Sequence, residues 1–260
     1  MIEWNHSTIC LTGIESTPRI RPARQPQWSL RATIQQLPVD VRWALRDIAA
    51  SDNGVVIAQA LRDGTAVAVS DGSFKDKFGT AAWVIEGRRS DGWVEGQCII
   101  PGGPEDQSAY RSELGGLYAI AAMVQVICEL HNIQEGSIEV ACDGMNALAQ
   151  VGEADPIIRP NGAQYDIIAA TQAKIKRTNI QWKMRHVMGH QDDTQGCTVM
   201  DRWETLNCMM DERAKQHWQH HSTRTTRVQE AVDGEPWAVW TGSSKICGRL
   251  AAPGFAQQVR

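Results

Sequence analysis

Apolar residues recur along this chain in two rhythms. Alternating or continuous apolar runs that close on turn residues mark strands, at AVAVSDGS from Ala66, GTAAWVIEG from Gly79, GWVEGQCII from Gly92, SIEVACDG from Ser137 and IQWKMRHV from Ile180. Apolar residues at three- and four-residue spacing mark helices. The longest runs from about Tyr110 to His131 and sets Leu114, Leu117, Ala121 and Val124 on one face. Shorter ones follow at MNALAQVG and YDIIAATQAKIKR, and a last one lies near ETLNCMMDERAKQHW. Three strands in hairpin order, then alternating helices and strands, predict an α/β fold with a mixed five-stranded sheet flanked by helices.

The flanks read differently. Residues 1–37, with Pro18, Pro22 and Pro26, lack periodicity and predict an irregular arm. Two helices are expected next, PVDVRWALRDIAA behind Pro38 and VVIAQALRDG ending on Gly64. The chain thus divides into an arm and helical lead-in at 1–64, a main domain at 65–219 and a polar extension at 220–260, where PWAVWTG is a candidate edge strand. With 260 residues, 42% of them apolar, one main core is expected. The run LYAIAAMVQVIC at 117–128 falls short of the ~18 residues of a membrane span, so no membrane association is expected. The start MIEWNHSTICLTG lacks the basic and apolar regions of a secretory signal. An intracellular protein of cytoplasm or nucleus is the expectation.

Seven cysteines without any C-x-x-C pair suit reduced, mostly buried thiols. A zinc set of His186, His190, Cys197 and Cys208 is not expected, because the cysteines form no close knuckle. The net charge of −4 argues against a basic coat, yet the cations cluster. Lys174, Lys176, Arg177, Lys183 and Arg185 fall in an acid-free stretch, as do Arg19, Arg21, Arg24 and Arg31 in the arm.

Two strands end in the same way, on Asp71-Gly72 and on Asp143-Gly144. If the strands are parallel and adjacent, both carboxylates emerge at the carboxyl edge of the sheet, where open α/β folds build sites. Their repulsion is relieved by a divalent cation that favours carboxylate oxygen, magnesium or manganese. Glu113, in the first turn of the long helix, and Asp211, on the last helix, are placed to join them. The Gly115-Gly116 pair costs about 1 kcal/mol per glycine inside a helix, which implies a close neighbour there. His186, behind Trp182 and Met184 on one strand face, reads as a packed histidine.

The ordered set DGS, YRSEL, CDG, GH and N-x-x-x-D resembles the ribonuclease H domain over about residues 65–219. SDGSFKDKFGTAAWVI, YRSEL and GHQDD are most similar to the domains of retroelement reverse transcriptases. The resemblance implies a ribonuclease H-like fold and an endonuclease that cleaves the RNA strand of RNA–DNA hybrids, in a reverse transcriptase or polyprotein context. It implies two magnesium ions, with manganese as the alternative, held by Asp71, Glu113, Asp143 and Asp211. Asp71 would bridge them, Asp211 would hold the ion that activates water, and Glu113 with Asp143 would hold the ion at the leaving 3′ oxygen. His190 matches the mobile-loop histidine that assists protonation or product release, and Asn207 matches an amide beside the site.

The sequence also departs from that pattern. Ala109, Tyr110 and Met145 stand where many members carry amides near the ribose 2′-hydroxyls, so RNA selectivity would rest on backbone groups, Ser73, Arg111 or shape. The basic protrusion of some members would fall near 152–164, which holds only Arg159. Substrate grip is then expected from Lys174, Lys176 and Arg177, and from the arginines of the arm. Two other readings stay open. One is an inactive ribonuclease H-like domain that binds nucleic acid or protein. The other is a transposase or integrase core, which expects a Glu on the last helix where this chain has Asp211.

Overall fold

The computed structural model describes residues 2–4, 7–9, 11–13, 29–87, 92–152, 164–189, 200–222, 232, 237–241 and 244–246. His190, Arg19, Arg21, Arg24, Arg159 and Cys197 lie outside the described residues. The arm is not irregular throughout. Strands β1 (Ile2–Trp4) and β2 (Ser7–Ile9) pair antiparallel, and β3 (Leu11–Gly13) pairs with a strand from the far end of the chain. Ser29 then caps helix α1 (Leu30–Gln35), its hydroxyl accepting from the Ala32 N–H, and the helix buries Leu30 and Ile34.

The first expected lead-in helix stops early. Helix α2 (Val39–Arg42) passes into a single tight turn at Trp43–Leu45, and Asp47–Ala50 forms strand β4 instead of continuing the helix. The reason is tertiary: an open sheet edge takes these residues antiparallel, with Ile48 against Gly96, and that pairing overrides the helical preference of RDIAA. Arg31, counted among the arm's cations, donates to the Ile48 carbonyl and is committed to this junction. Helix α3 (Val55–Arg62) runs as expected, with Gly64 following in the left-handed region at φ +66°.

The main sheet follows. Strands β5 (Ala66–Lys75), β6 (Phe78–Glu86) and β7 (Trp93–Ile99) form the antiparallel run, and helix α4 (Ala109–Leu130) crosses behind it. Strand β8 (Ser137–Cys142), helices α5 (Met145–Gly152) and α6 (Tyr165–Arg177), strand β9 (Gln181–His186) and helix α7 (Arg202–His221) complete it. The strand order is β4-β7-β6-β5-β8-β9, with β8 parallel to β5 and β9 parallel to β8. The fold is therefore of the expected α/β class, a mixed sheet flanked by helices, with a sixth strand added by the lead-in. PWAVWTG supplies β10 (Trp237–Thr241), which joins β3 and β11 (Ser244–Ile246) in a separate three-stranded sheet.

Strand alternation sorts β5 onto two faces. Ala66 and Ala68 enter the large core shared with α4, while Val69 packs with Ala82, Val84, Ala141, Leu206, Met210 and Ala214 under α7. By length and composition α4 could cross a membrane, but 78% of its most apolar stretch is buried in this fold, so it is a core helix. Its glycine pair has the close neighbours expected. A side chain at Gly116 would meet Ser70, and one at Gly115 would meet Ile100.

Gly72 sets the approach of α4 to β5. A Cβ there would lie 2.6 Å from the Ser112 carbonyl carbon and 2.7 Å from the Glu113 nitrogen, and backbone cannot swing aside as a side chain can. Gly72→Ala is therefore expected to destabilise the fold by about 1–3 kcal/mol, read as a lower urea midpoint; an unchanged midpoint would mean that α4 does not press on the strand.

Candidate functional site

The register β5 to β8 ends at Val69 opposite Ala141. Two residues on from each lies an aspartate, so Asp71, still within β5, and Asp143, just past the end of β8, stand at the same edge of this strand pair. Glu113 arrives from the second turn of α4, seated against Gly72. Its carboxylate lies over Gly144, where any Cβ would collide with Glu113 Oε2. Asp211 comes from α7 above the opposite face, beyond Met210 and Ala214 of the small core. Four elements thus bring four acids together.

The electrostatics record that convergence. Asp71 is 5% exposed and its carboxyl is pushed up to about 8, first by burial and then by the charges of Asp143 and Asp211, with a smaller push from Glu113. The Gly72 N–H donates to Asp71 Oδ1 at 2.6 Å and works in the other direction. Glu113, half-buried, is raised to about 6 by burial and by Asp143. A cluster that holds a buried carboxyl near neutrality is short of positive charge.

The donor chemistry suits a hard divalent cation, since all four groups offer carboxylate oxygen. Asn207, one helical turn before Asp211, adds a buried Oδ1 without a hydrogen-bond partner. Among the described residues, however, no three His, Cys, Asp or Glu side chains are grouped closely enough to hold an ion as they stand. Lys215 Nζ donates to Asp211 Oδ2 at 2.6 Å. An i, i+4 acid–lysine spacing is legible in any helix, and here it places a cation on the site's fourth acid.

Not every expected site residue belongs here. Arg111 is not presented to solvent. It is 2% exposed, with both terminal nitrogens on Asp166 at 2.8 and 2.6 Å, Nε on the Pro101 carbonyl at 2.7 Å and a further bond to Gln164. A guanidinium so enclosed clamps the start of α4 to the start of α6. Lys174 is buried as well, its ammonium 5.2 Å from the Tyr118 ring centre. Lys176 and Arg177 are exposed at the end of α6, and Ser73 is half-buried two residues beyond Asp71. His186 is not packed but exposed, because β9 is an edge strand whose last residue has passed the cover that holds Trp182 and Met184. Its Nε2 lies 3.0 Å from the Asp143 carbonyl, beside the acids.

No protein-family model and no curated protein matches the chain. Solved structures do. The N-terminal RNase H domain of a Mycobacterium tuberculosis protein, solved as a fusion with maltose binding protein, is 13% identical with a TM-score of 0.40, over 60% of this chain and 95% of that one. RNase H1 from Halobacterium salinarum is 15% identical with a TM-score of 0.37, over 60% and 98%. LC11-RNase H1 in complex with an RNA/DNA hybrid is 11% identical with a TM-score of 0.40, over 58% and 94%. The fold class rests on the strand order itself.

Two outcomes follow from this geometry. Asp71 ionises at its ordinary 3.8 in the unfolded chain and near 8 in the fold. Between those values only the unfolded chain gives up the proton, so the carboxylate's penalty on the fold grows as pH rises and is complete above the upper value. Without divalent cations, Asp71→Asn should stabilise the protein at about pH 8 by on the order of a few kcal/mol, with the gain fading toward about pH 4. A gain of equal size at both pH values would contradict a charge origin. Arg111→Ala, which leaves Asp166 buried without its partner, should cost about 3–5 kcal/mol, measured by thermal melting; loss of substrate affinity without loss of stability would return Arg111 to the binding surface.

Proposed function

We propose that this chain is a metal-dependent endoribonuclease of the ribonuclease H type that hydrolyses the RNA strand of RNA–DNA hybrids, with a retroelement reverse transcriptase as its context of origin. The observation that carries the reading is the convergence of four carboxylates from β5, α4, β8 and α7, where burial first and the neighbouring charges second push the Asp71 carboxyl up to about 8. Asp71, Glu113, Asp143 and Asp211 would hold two magnesium ions, with manganese as the alternative. Such ions, when bound, supply Lewis-acid stabilisation of the phosphoryl group and an activated water.

The chain's own groups supply the rest. The Gly72 N–H orients Asp71, the room above Gly144 seats Glu113, and the His186 ring holds the Asp143 carbonyl. Asn207 would contribute its unpartnered amide oxygen beside Asp211. His190 would carry a proton to the leaving group or speed product release, as the resemblance implies. Ser73 would face the ribose, and the exposed Lys176 and Arg177 would meet backbone phosphates.

The test is incubation of labelled RNA–DNA hybrid, duplex RNA and duplex DNA with magnesium. Only the RNA of the hybrid should be cut, to 3′-hydroxyl and 5′-phosphate ends. Asp71→Asn, Glu113→Gln and Asp143→Asn should each lower the rate by at least about a hundredfold while the protein stays folded. The Asp211–Lys215 ion pair favours a second reading, a nucleic-acid-binding domain without turnover. Hybrid binding with no cleavage in magnesium or manganese would select it.

A further inference from the structure

Strand β5 does not stop at Asp71. It runs four residues further, and its alternation puts Asp71, Ser73 and Lys75 on the face covered by α7. Along α7 the matching positions are Asp211, Lys215 and Trp218, four and three residues apart and so on one side of the helix. The two rows are fastened together. Opposite Ser73 in the register is Thr80, whose hydroxyl donates to the Ala214 carbonyl at 2.8 Å, and the Trp218 Nε1–H donates to the Lys75 carbonyl at 3.1 Å. A track therefore leads away from the acids, first to Ser73 and Lys215, then to Lys75 and Trp218.

Its charge changes along the way. The inner end carries Asp71 and Asp211, while at the outer end the Lys75 ammonium stands 5.5 Å from the Trp218 ring centre. Cation–π contacts are common on protein surfaces, so the pair alone means little. Its place and its state matter more. Lys75 is exposed, and among the described residues no carboxylate lies within ion-pair distance of it, whereas nearby Lys77 is taken by Glu105 at 2.5 Å and Lys215 by Asp211. Phe74, 38% exposed, adds a second ring at the same strand end. An uncommitted cation with aromatic surface beside it is the chemistry that holds a nucleic-acid strand, by phosphate contact and by stacking on sugar or base.

We propose that Lys75 and Trp218 form a binding subsite for the backbone of the nucleic-acid strand that crosses the four acids. The proposal rests on the nuclease reading and extends it by saying where the strand runs. Four strand residues span about 13 Å. Each nucleotide advances a duplex strand by about 3.4 Å along its axis, so the subsite lies at most about four nucleotides from the phosphate at the acids.

Fluorescence anisotropy of the full chain on a labelled RNA–DNA hybrid, in chelator to prevent hydrolysis and over a range of salt, tests this. Lys75→Gln should weaken binding several-fold and lower the slope of log affinity against log salt by about 0.7 to 0.9, the value of one phosphate contact. Lys75→Arg should restore the wild-type slope. Trp218→Leu should weaken binding with little change in slope, with thermal melting used to show that it stays folded. If wild type binds the hybrid and Lys75→Gln matches it in affinity and slope, the subsite is wrong and the nuclease reading stands. If wild type does not bind the hybrid in chelator, the subsite falls, and the nuclease reading falls with it only if the hybrid is also left uncut in magnesium.

Discussion

Parallel pairing of β5 with β8 places Asp71 and Asp143 at one sheet edge, and the rest of the site is arranged around the repulsion that this creates. Two carboxylates there would already disfavour ionisation of the more buried one. Glu113 and Asp211 are added from helices on opposite faces, and the fold accepts a strained charge distribution that no packing need explains. The neighbouring chemistry answers it in small ways. A backbone N–H from Gly72 meets Asp71, and Lys215 meets Asp211. Neither removes the deficit of positive charge, which adds to burial in pushing the Asp71 carboxyl far above the ordinary aspartate range.

Much of this was legible in the chain, and for a common reason. The Asp-Gly pairs, the glutamate near the start of the long helix and the glycine pair are local signals, and the pairing of adjacent elements follows from topology rules that leave few choices. The helices MNALAQVG and YDIIAATQAKIKR coincide with α5 and α6 at both ends. What could not be read depends on distant partners. Arg111 looks like a substrate contact until Asp166, far along the chain, closes on it. Lys174 looks solvated until Tyr118 covers it. RDIAA reads as helix until the free edge of β7 recruits it.

His186 and Lys75 show the opposite error, where reading strand faces by pattern stopped too soon. His186 shares a face with Trp182 and Met184, but the cover over that face ends before it, which leaves the ring exposed beside Asp143. β5 was expected to end soon after Asp71, yet it continues to Lys75, and the extra residues carry the positive end of a track whose negative end is the acid cluster. On the proposed nuclease reading, a surface that turns from negative to positive over such a distance suits a strand of phosphates, those beyond the acids being held by protein charge.

The central claim is that the four carboxylates act on one another as a single electrostatic unit. Carbon-13 NMR titration of the side-chain carboxyls in metal-free protein addresses it without reference to activity. The account predicts that Asp71 titrates near pH 8 in the wild type and at clearly lower pH when Asp143 and Asp211 are both replaced by asparagine, with burial alone keeping it above 3.8. An Asp71 that titrates at the same pH in both proteins would contradict it.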